Sequence, residues 1–290
     1  MRLVVKFNLV LLVIFALGFA AAAGFSKALL ERSAREDVLQ DARLIMESAL
    51  ASRAYTIHQV APLLRKLGDA EFLPQTVPAF AATEQFEALR AKLPDFSYKE
   101  ATLNPTNLRD RATDWEVDIV SSFRQFSDRT EIIGERETPL GRSLYLGRPI
   151  TIRDSACLSC HSTVEAAPKS MVQKYGPANG FGWNLNETVG AQLVSVPMTL
   201  PIDRAHRALF TFLAFLGGIF LSVFVALNVM LRVIVVRRLS TLSQLADEVS
   251  LGKIDGPDFP LQGKDEVTHL AQSFNRMKKS VAHAIKMLEE

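Results

Sequence analysis

The sequence has little cysteine and little excess charge. Only two cysteines, Cys157 and Cys160, occur in 290 residues, which excludes a zinc site built from four thiolates. The formal net charge is +2, and because phosphate binding needs a clustered basic face, we expect no nucleic-acid partner. Hydrophobic residues make up 48% of the chain and charged residues 22%, which is the composition of a folded protein.

Charge is absent altogether from two long apolar runs, Phe7 to Phe25 and Ala208 to Leu231. Each run is close to the roughly 20 residues that a helix needs to cross a bilayer, so both are predicted to be transmembrane helices. The first run has an alternative that stays open. Arg2 and Lys6 ahead of it, and the small residues 20–24 at its end, are also typical of a cleavable signal peptide.

The basic residues beside the two runs predict the topology. Arg232, Arg237 and Arg238 follow the second run, so its C-terminal end is expected in the cytoplasm, and Arg2 and Lys6 place the N-terminus there as well. We therefore expect a membrane protein whose middle domain lies outside the cytoplasm, which in a bacterium means the inner membrane and the periplasm. The predicted domains are residues 1–25 (membrane anchor), 26–207 (periplasmic domain), 208–231 (second membrane helix) and 232–290 (cytoplasmic tail).

The first half of the periplasmic domain carries helical patterns. Apolar residues at helical spacing predict a long helix from Ser26, which Pro62 ends or bends near residues 58–61. A second helix is predicted over Phe80 to Leu93, and a third begins after Asp114, which we expect to cap it. Helices are therefore expected to come first in this domain.

The second half carries strand patterns. Short runs rich in Ile, Leu and Tyr, separated by Gly134, Gly141 and Gly147, predict strands joined by turns. Residues 183–198 repeat the pattern, with a turn at Asn186 and Glu187. The predicted fold class is therefore α+β, with a long N-terminal helix and a small antiparallel sheet.

The stretch DSACLSCHSTVEA, from Asp154 to Ala166, holds both cysteines, and His161 follows Cys160 directly. Two thiols two residues apart, followed by histidine, form the signature of covalent c-type haem attachment. The thiols bond to the porphyrin and the histidine ligates the iron. The motif predicts one haem c per chain on Cys157 and Cys160, with His161 as the proximal ligand.

Three alternatives for this motif stay open. A redox dithiol would need a βαβ unit around it, and none is legible in the sequence. Zinc would have to recruit distant histidines or carboxylates, because no further cysteine is present. A plain disulfide would be strained by the two-residue gap.

The ligand on the opposite face of the haem is open. His58 is the only other histidine far from both the membrane face and the tail, and a second imidazole would give a six-coordinate iron. Met46 is a second candidate, through its thioether sulfur. Each has an ordinary alternative: a solvent-facing helix residue for His58, and core packing for Met46.

The tail contains two amphipathic segments around a connector rich in glycine and proline. Each needs a partner for its apolar stripe, and a homodimeric four-helix coil would supply one. A single hairpin lying on the membrane surface is the alternative. The apolar positions are Leu239, Leu242, Leu245, Ala246 and Val249 in the first segment, and Val267, Leu270, Phe274, Met277 and Val281 in the second.

The tail resembles the HAMP signalling module. Its marks are Gly252, the run GKDEV at Gly263 to Val267 and the run FNRM at Phe274 to Met277. It departs from the usual pattern at Arg238, where proline commonly follows the arginine, and at Thr268, where glycine is common. The resemblance implies a helical coil that relays a signal, and it does not fix the switching bias of this chain because of the two departures.

The periplasmic part resembles the PAS-like, c-haem-binding sensor domain family of bacterial membrane proteins. The motifs that carry the resemblance, in chain order, are RAYT from Arg53 with Pro62, LNPTN from Leu103, WE at Trp115, CLSCH from Cys157 and YGPANGFGWNLNETVGAQLVSVPM from Tyr175. The resemblance implies haem on Cys157 and Cys160, iron on His161, and sensing of redox state or a small gas. In some relatives a cysteine from the N-terminal helical part is the distal ligand, and this chain has none left to serve.

We therefore expect a homodimeric membrane haem-c sensor that detects redox state, or a gas such as NO or CO. It would relay the signal through the HAMP module to a separate cytoplasmic protein, and no catalytic activity is expected. A membrane-tethered cytochrome for electron transfer is the alternative, although such a carrier has no evident use for the paired helices of the tail. A receptor without haem, holding a disulfide at CLSC, is a third possibility.

Overall fold

The computed structural model of the chain describes residues 3–66, 71–139, 141–253, 256–260 and 263–289. Arg2 and four residues of the predicted tail connector (254, 255, 261 and 262) lie outside the described residues. The chain divides into two compact units. One unit is Ser26–Leu209, and the other combines the residues up to Phe25 with those from Phe210 onward. The exact domain boundaries given above stay predictions.

The N-terminal helix α1 spans Leu3–Tyr55 and passes directly into a π-helical turn, Thr56–Val60, and then into α2, Ala61–Lys66. Pro62 is the second residue of α2, and its missing amide proton and bulky ring disturb the preceding turn. The predicted change at the end of the long helix is therefore confirmed, in the form of a π-helical turn rather than a termination.

The helix predicted over Phe80 to Leu93 is α3, Pro78–Arg90. The next helix, α4, spans Asp114–Gln125, and here the predicted cap was wrong by one residue: Thr113 is the N-cap, and Asp114 is already helical. The backbone N–H of Thr113 donates to Glu116 Oε2 at 2.8 Å, which is one half of a capping box.

A four-stranded antiparallel sheet forms the centre of the unit Ser26–Leu209. Its strands are β1 (Ser97–Thr102), β2 (Ile132–Thr138), β3 (Gly141–Thr151) and β4 (Thr188–Pro197), in the spatial order β1-β4-β3-β2. This arrangement confirms the α+β fold class. Strand β1 was not predicted from the sequence.

Two of the three glycines expected at turns lie inside strands instead. Gly134 is in β2 opposite Tyr145, and a Cβ at Gly134 would stand 2.4 Å from the ring of that tyrosine. Gly147 is in β3. Only Gly141 is next to a turn, at the start of β3, where its φ of +98° favours glycine.

Helices cover both faces of the sheet. Helices α1 and α3 pack on one face through Met46, Ala82 and other buried residues, against Leu144, Leu146 and Val194 of the sheet. Helix α4 packs on the other face, where Ile119, Val120 and Phe123 contact Ala101, Ala191 and Leu193. Two short helices, α5 (Leu158–His161) and α6 (Lys169–Tyr175), lie in the segment between β3 and β4, which holds the cysteine motif.

Two helical stretches are long and apolar enough to cross a membrane, by length and composition. They are Val4–Lys66 and Thr199–Ser250, and an 18-residue window of each has a mean hydropathy of 2.4 and 2.6, respectively. The second comprises α7 (Thr199–Met230), a π-helical turn (Leu231–Val236) and α8 (Arg237–Ser250).

The tail folds as α8 and a further helix, α9, which spans Glu266–Glu289. The buried residues between them are Leu242, Phe259 and Ala271. Phe259 stacks on Phe274 with ring centroids 5.3 Å apart, and its N–H donates to Asn275 Oδ1 at 2.8 Å. The connector is thereby fastened to α9.

Candidate functional site

The cysteine motif forms a single helical turn. Residues Ser155–Cys157 are a 3-10 turn, and the short helix α5 follows directly. Asp154 begins the turn, because its Oδ1 accepts from the N–H of Ala156 at 2.8 Å. Residues three apart on a helix lie on one face, so Cys157 and Cys160 are neighbours there, and both are half-buried free thiols.

His161 is held by a carbonyl group. Its Nδ1 lies 2.7 Å from the backbone oxygen of Gly180, and since a carbonyl only accepts, Nδ1 carries the proton. The lone pair of Nε2 is then available to a metal, which is how a second-shell hydrogen bond prepares a ligating histidine. The residues present therefore fit a haem iron on His161.

The loop from Tyr175 to Trp183 positions this histidine. The Trp183 ring stacks on the imidazole with centroids 4.0 Å apart, and its backbone N–H donates to the oxygen of His161 at 3.1 Å. Gly180 has a φ of +87°, and a Cβ there would stand 2.1 Å from Thr106 Oγ1. The loop needs glycine at this point because Thr106 approaches so closely.

Burial sets the protonation of the motif. It lowers the pKa of His161, against the opposing effect of the Gly180 hydrogen bond, so the neutral imidazole that ligates iron is favoured. Burial also raises the pKa of Cys157, and the nearby Asp154 carboxylate adds to the increase. The thiol is therefore kept protonated rather than reactive.

Arg53, near the end of α1, is a neighbour of the motif for which the sequence suggested no role. Its positive charge acts on Cys157 in the direction that lowers the thiol pKa. Its Nη1 donates to both carboxylate oxygens of Glu100, which is buried in β1. Tyr98 Oη donates to Glu100 Oε1 at 2.8 Å, and Gln192 Nε2 donates to Tyr98 Oη at 3.2 Å.

This network ties the end of α1 to the sheet beside the motif. Burial of the tyrosine, reinforced by the Glu100 carboxylate, raises the pKa of Tyr98, which therefore stays a hydrogen-bond donor. The only signal in the sequence for Arg53 was its place in the RAYT run. Its partner could not be predicted, because Glu100 lies in the unpredicted strand β1.

The two candidate distal ligands lie in different environments. His58 is exposed, in the π-helical turn. Met46 is fully buried in the cluster between α1 and the sheet, a cluster with no member from the cysteine motif. Exposure favours His58 over Met46, and the distal ligand stays a prediction.

The described residues give little support to the other interpretations of the motif. All strand pairs of the sheet in the described part of the chain are antiparallel, so those residues form no βαβ unit around a redox dithiol. Within the described ranges, no group of three or more His, Cys, Asp or Glu residues is placed to hold a metal ion, so a zinc site lacks further ligands.

Comparisons with known proteins give two family matches. The model of the Tll0287-like family matches residues 31–197, and that of the HAMP domain matches residues 226–283. No curated protein matches the chain. A crystal structure described as that of the cyanobacterial heme-protein Tll0287 is similar, with 17% identity and a TM-score of 0.43 over 55% of this chain and 94% of that chain.

The first match spans more than half of the chain, and its position agrees with the motifs from Arg53 to Met198. The resemblance seen in the sequence is thereby confirmed, as is the HAMP module that follows it. This chain belongs to the Tll0287-like family, a haem-binding family with a PAS-like domain, and carries a HAMP domain after that domain.

Proposed function

We propose that this protein is a membrane haem-c sensor that detects redox state or a diatomic gas and relays it through the HAMP domain. The observation that carries the proposal is the hydrogen bond from His161 Nδ1 to Gly180. It leaves Nε2 free beside two thiols on one helical turn. The matches to a haem-binding family and to the HAMP domain support a haem sensor with a signalling output, without specifying what is sensed.

In this proposal Cys157 and Cys160 hold the porphyrin through thioether bonds, and His161 holds the iron on one side. When bound, haem supplies an iron whose oxidation state and sixth ligand can change. Gly180 fixes the imidazole tautomer and Trp183 fixes the ring plane.

Arg53 is the proposed link between this site and α1. Its positive charge acts at the position of Cys157 and it is paired with the buried Glu100, so its guanidinium would respond to a change of charge at the haem. The π-helical turn begins three residues later, at Thr56, and such turns are common at functional sites. A ligand biases a switch only through different affinities for its two states, and an axial bond present in one state alone would supply that difference.

The proposed location is the inner membrane, with the haem domain in the periplasm and the HAMP domain in the cytoplasm. The two apolar helical stretches and the HAMP match support a membrane protein. Arg232, Arg237 and Arg238 support the cytoplasmic side for the tail. We further propose that the output is a separate cytoplasmic protein and that this chain has no catalytic activity.

A homodimer is proposed because α9 has a second apolar stripe. Val267, Ala271 and Phe274 face the core shared with α8, whereas other apolar residues of α9 are exposed. They include Leu270, Met277, Val281 and Ile285, which follow one another at intervals of seven, four and four residues. This is coiled-coil spacing, and a second copy of the helix pair would cover the stripe.

Covalent haem is tested by haem staining after denaturing electrophoresis, together with the pyridine haemochrome spectrum of the purified full chain. We expect both signals in the wild type and in the control Ser159→Ala, which keeps both thiols. We expect neither in the double variant Cys157→Ala/Cys160→Ala. A wild-type chain expressed with a haem-attachment system and lacking both signals would contradict the proposal.

A further inference from the structure

A cavity lies in the unit Ser26–Leu209, away from the cysteine motif. Its volume is about 400 Å³, within the roughly 300–1,000 Å³ that is common for small-molecule sites. It is lined by all four strands of the sheet, the end of α3 and the start of α4, and by no residue from Asp154 to His161. The haem site therefore does not account for it.

Three serine hydroxyls from neighbouring strands line this cavity. Ser97 of β1 pairs with Ser195 of β4, and Ser143 of β3 lies two residues from Tyr145, the other partner of Ser195. Residues two apart on a strand point to the same face. None of these hydroxyls takes part in a hydrogen bond with the rest of the described chain, so each is available to a ligand.

Arg136 of β2 enters the cavity as a cation that no carboxylate neutralises within the described ranges. Its guanidinium carbon lies 4.1 Å from the centroid of the Trp115 ring, which holds the side chain in place. By contrast, the ammonium group of Lys99, which also lines the cavity, is already paired, because its Nζ donates to Glu116 Oε2 at 2.7 Å. The guanidinium N–H groups of Arg136 are therefore available to a ligand.

Asp95, between α3 and β1, also lines the cavity and forms no ion pair with another residue that the structure describes. Among its described lining residues, the cavity therefore offers a cation and an anion that form no ion pair, Arg136 and Asp95, together with the hydroxyl groups of three serines. A guanidinium matches the geometry of a carboxylate through two parallel hydrogen bonds. A carboxylate side chain accepts from a ligand hydroxyl or ammonium group.

We propose that this cavity binds a small organic acid that carries a hydroxyl or amino group. The ligand carboxylate would be held by Arg136, its donor group by Asp95, and its remaining polar atoms by Ser143 and Ser195. The site does not depend on haem, so the sensor would have a second, chemically distinct input on the α4 face of the sheet.

The test is isothermal titration calorimetry of the purified full chain in detergent, with L-lactate, L-malate and L-serine as separate probes. Lactamide, which replaces the carboxylate with a neutral amide, is the matched ligand control. We expect at least one acid to bind and lactamide not to bind. No binding by any of the three acids, or equal binding of lactate and lactamide, would overturn the proposal.

Variants then assign the site. Arg136→Gln should weaken acid binding by about tenfold or more, because a charge-assisted hydrogen-bonded pair is lost, and Arg136→Lys should weaken it less. Arg142→Gln is the control, since Arg142 lies on the same hairpin, pairs with Glu135 at 2.7 Å and does not line the cavity. Unchanged binding in a folded Arg136→Gln variant would overturn the assignment, and the haem stain of the same sample reports separately on the haem site.

Discussion

Arg53 and Glu100 form the ion pair with the largest expected effect on stability at the haem end of the domain. The side chains are 23% and 5% exposed, so removing the arginine would leave a buried, uncompensated carboxylate. We expect Arg53→Met to lower the free energy of unfolding by about 3 kcal/mol. The double variant Arg53→Met/Glu100→Gln should recover most of that loss, because the buried charge is then gone. Denaturant unfolding of the full chain in detergent measures both.

The control for this pair is Arg35→Met, on the same helix. Arg35 pairs with Glu135 at 2.8 Å, but the arginine is 48% exposed, and exposed pairs contribute about 1 kcal/mol or less. A loss in Arg53→Met no larger than in Arg35→Met would show that the Glu100 pair is not the anchor of α1 on the sheet.

Asp110 gives the domain a pH dependence. Burial raises the pKa of this carboxyl from 3.8 to about 6, with a further increase from Glu100 and opposition from Arg109. The folded state therefore holds its proton more tightly than the unfolded chain does, and stability falls as the pH rises from about 4 to about 6. Above about pH 6 the carboxyl group is ionised in both states, and the cost of burying its charge lowers the free energy of unfolding in full.

Asp110→Asn removes this penalty. We expect the variant to be more stable than the wild type above pH 6 by about 1 kcal/mol, after allowance for solvent screening of a partly exposed group. The difference should shrink towards about pH 4. Thermal unfolding across this range and up to about pH 8 measures it, with Asp118→Asn on the exposed face of α4 as the control. A stability difference that grows towards low pH would contradict the assignment.

The residues at the site differ in how far the sequence could reveal them. The cysteine motif was legible because its chemistry depends on local spacing, which folding does not alter. Arg53 and Glu100 are 47 positions apart in sequence and meet only through the packing of α1 on β1, which no local pattern records. Gly180 was visible only through the family resemblance.

At the scale of elements, long periodic helices were predicted well and β1 was missed. Ser97–Thr102 has the sequence SYKEAT, in which Lys99 and Glu100 suggest an exposed loop. Both are paired instead, with Glu116 and Arg53, so tertiary ion pairs allow a polar strand to enter the sheet. The glycines of β2 and β3 were misplaced for a similar reason, since the Tyr145 ring lies where a side chain at Gly134 would stand.

The two departures from the usual HAMP pattern contact each other. Arg238 Nη2 donates to Thr268 Oγ1 at 2.9 Å, and both residues bind Asp265, the residue before α9. These hydrogen bonds, led by that from Arg238, hold the pKa of Asp265 below its usual range. The carboxylate therefore stabilises the start of α9 at neutral pH, and this contribution is lost as the pH falls and the group is protonated.

We expect Asp265→Ala to speed hydrogen exchange in the first turn of α9, because the cap and the Arg238 pair are lost together. Asp247→Ala, on the exposed side of α8, is the matched control and should leave that turn unchanged. Hydrogen–deuterium exchange of the full chain in nanodiscs resolves the difference. Equal exchange at residues 266–269 in both variants would show that this cluster does not fix the helix start.

At the scale of the whole molecule, α1 and α7 each contribute residues to both compact units. The proposed relay therefore needs no additional connecting segment. Helix α1 contains both Arg53 and the first apolar run, and α7 continues through a π-helical turn into α8. The order of haem domain, apolar helix and HAMP domain was predictable from composition and motifs. The continuation of the first apolar run into a long helix was also predicted, and α1 confirms it. The two π-helical turns were not predicted, because such a turn has no clear sequence signal.

The central claim is that a change at the Cys157–His161 site alters the arrangement of the HAMP helices. The chain has no other cysteines, so Met277→Cys on the exposed stripe of α9 introduces a single free reporter when the native pair holds haem. Its crosslinking between copies by a bismaleimide can be followed in native membranes that are reduced with ascorbate, oxidised with ferricyanide, or reduced and then exposed to CO.

The account predicts that the crosslinked fraction differs between at least two of these conditions in the Met277→Cys chain. The difference should disappear when His161→Ala removes the proximal ligand, which controls for direct effects of the reagents. An identical crosslinked fraction under all three conditions, in membranes whose chain carries covalent haem, would contradict the claim.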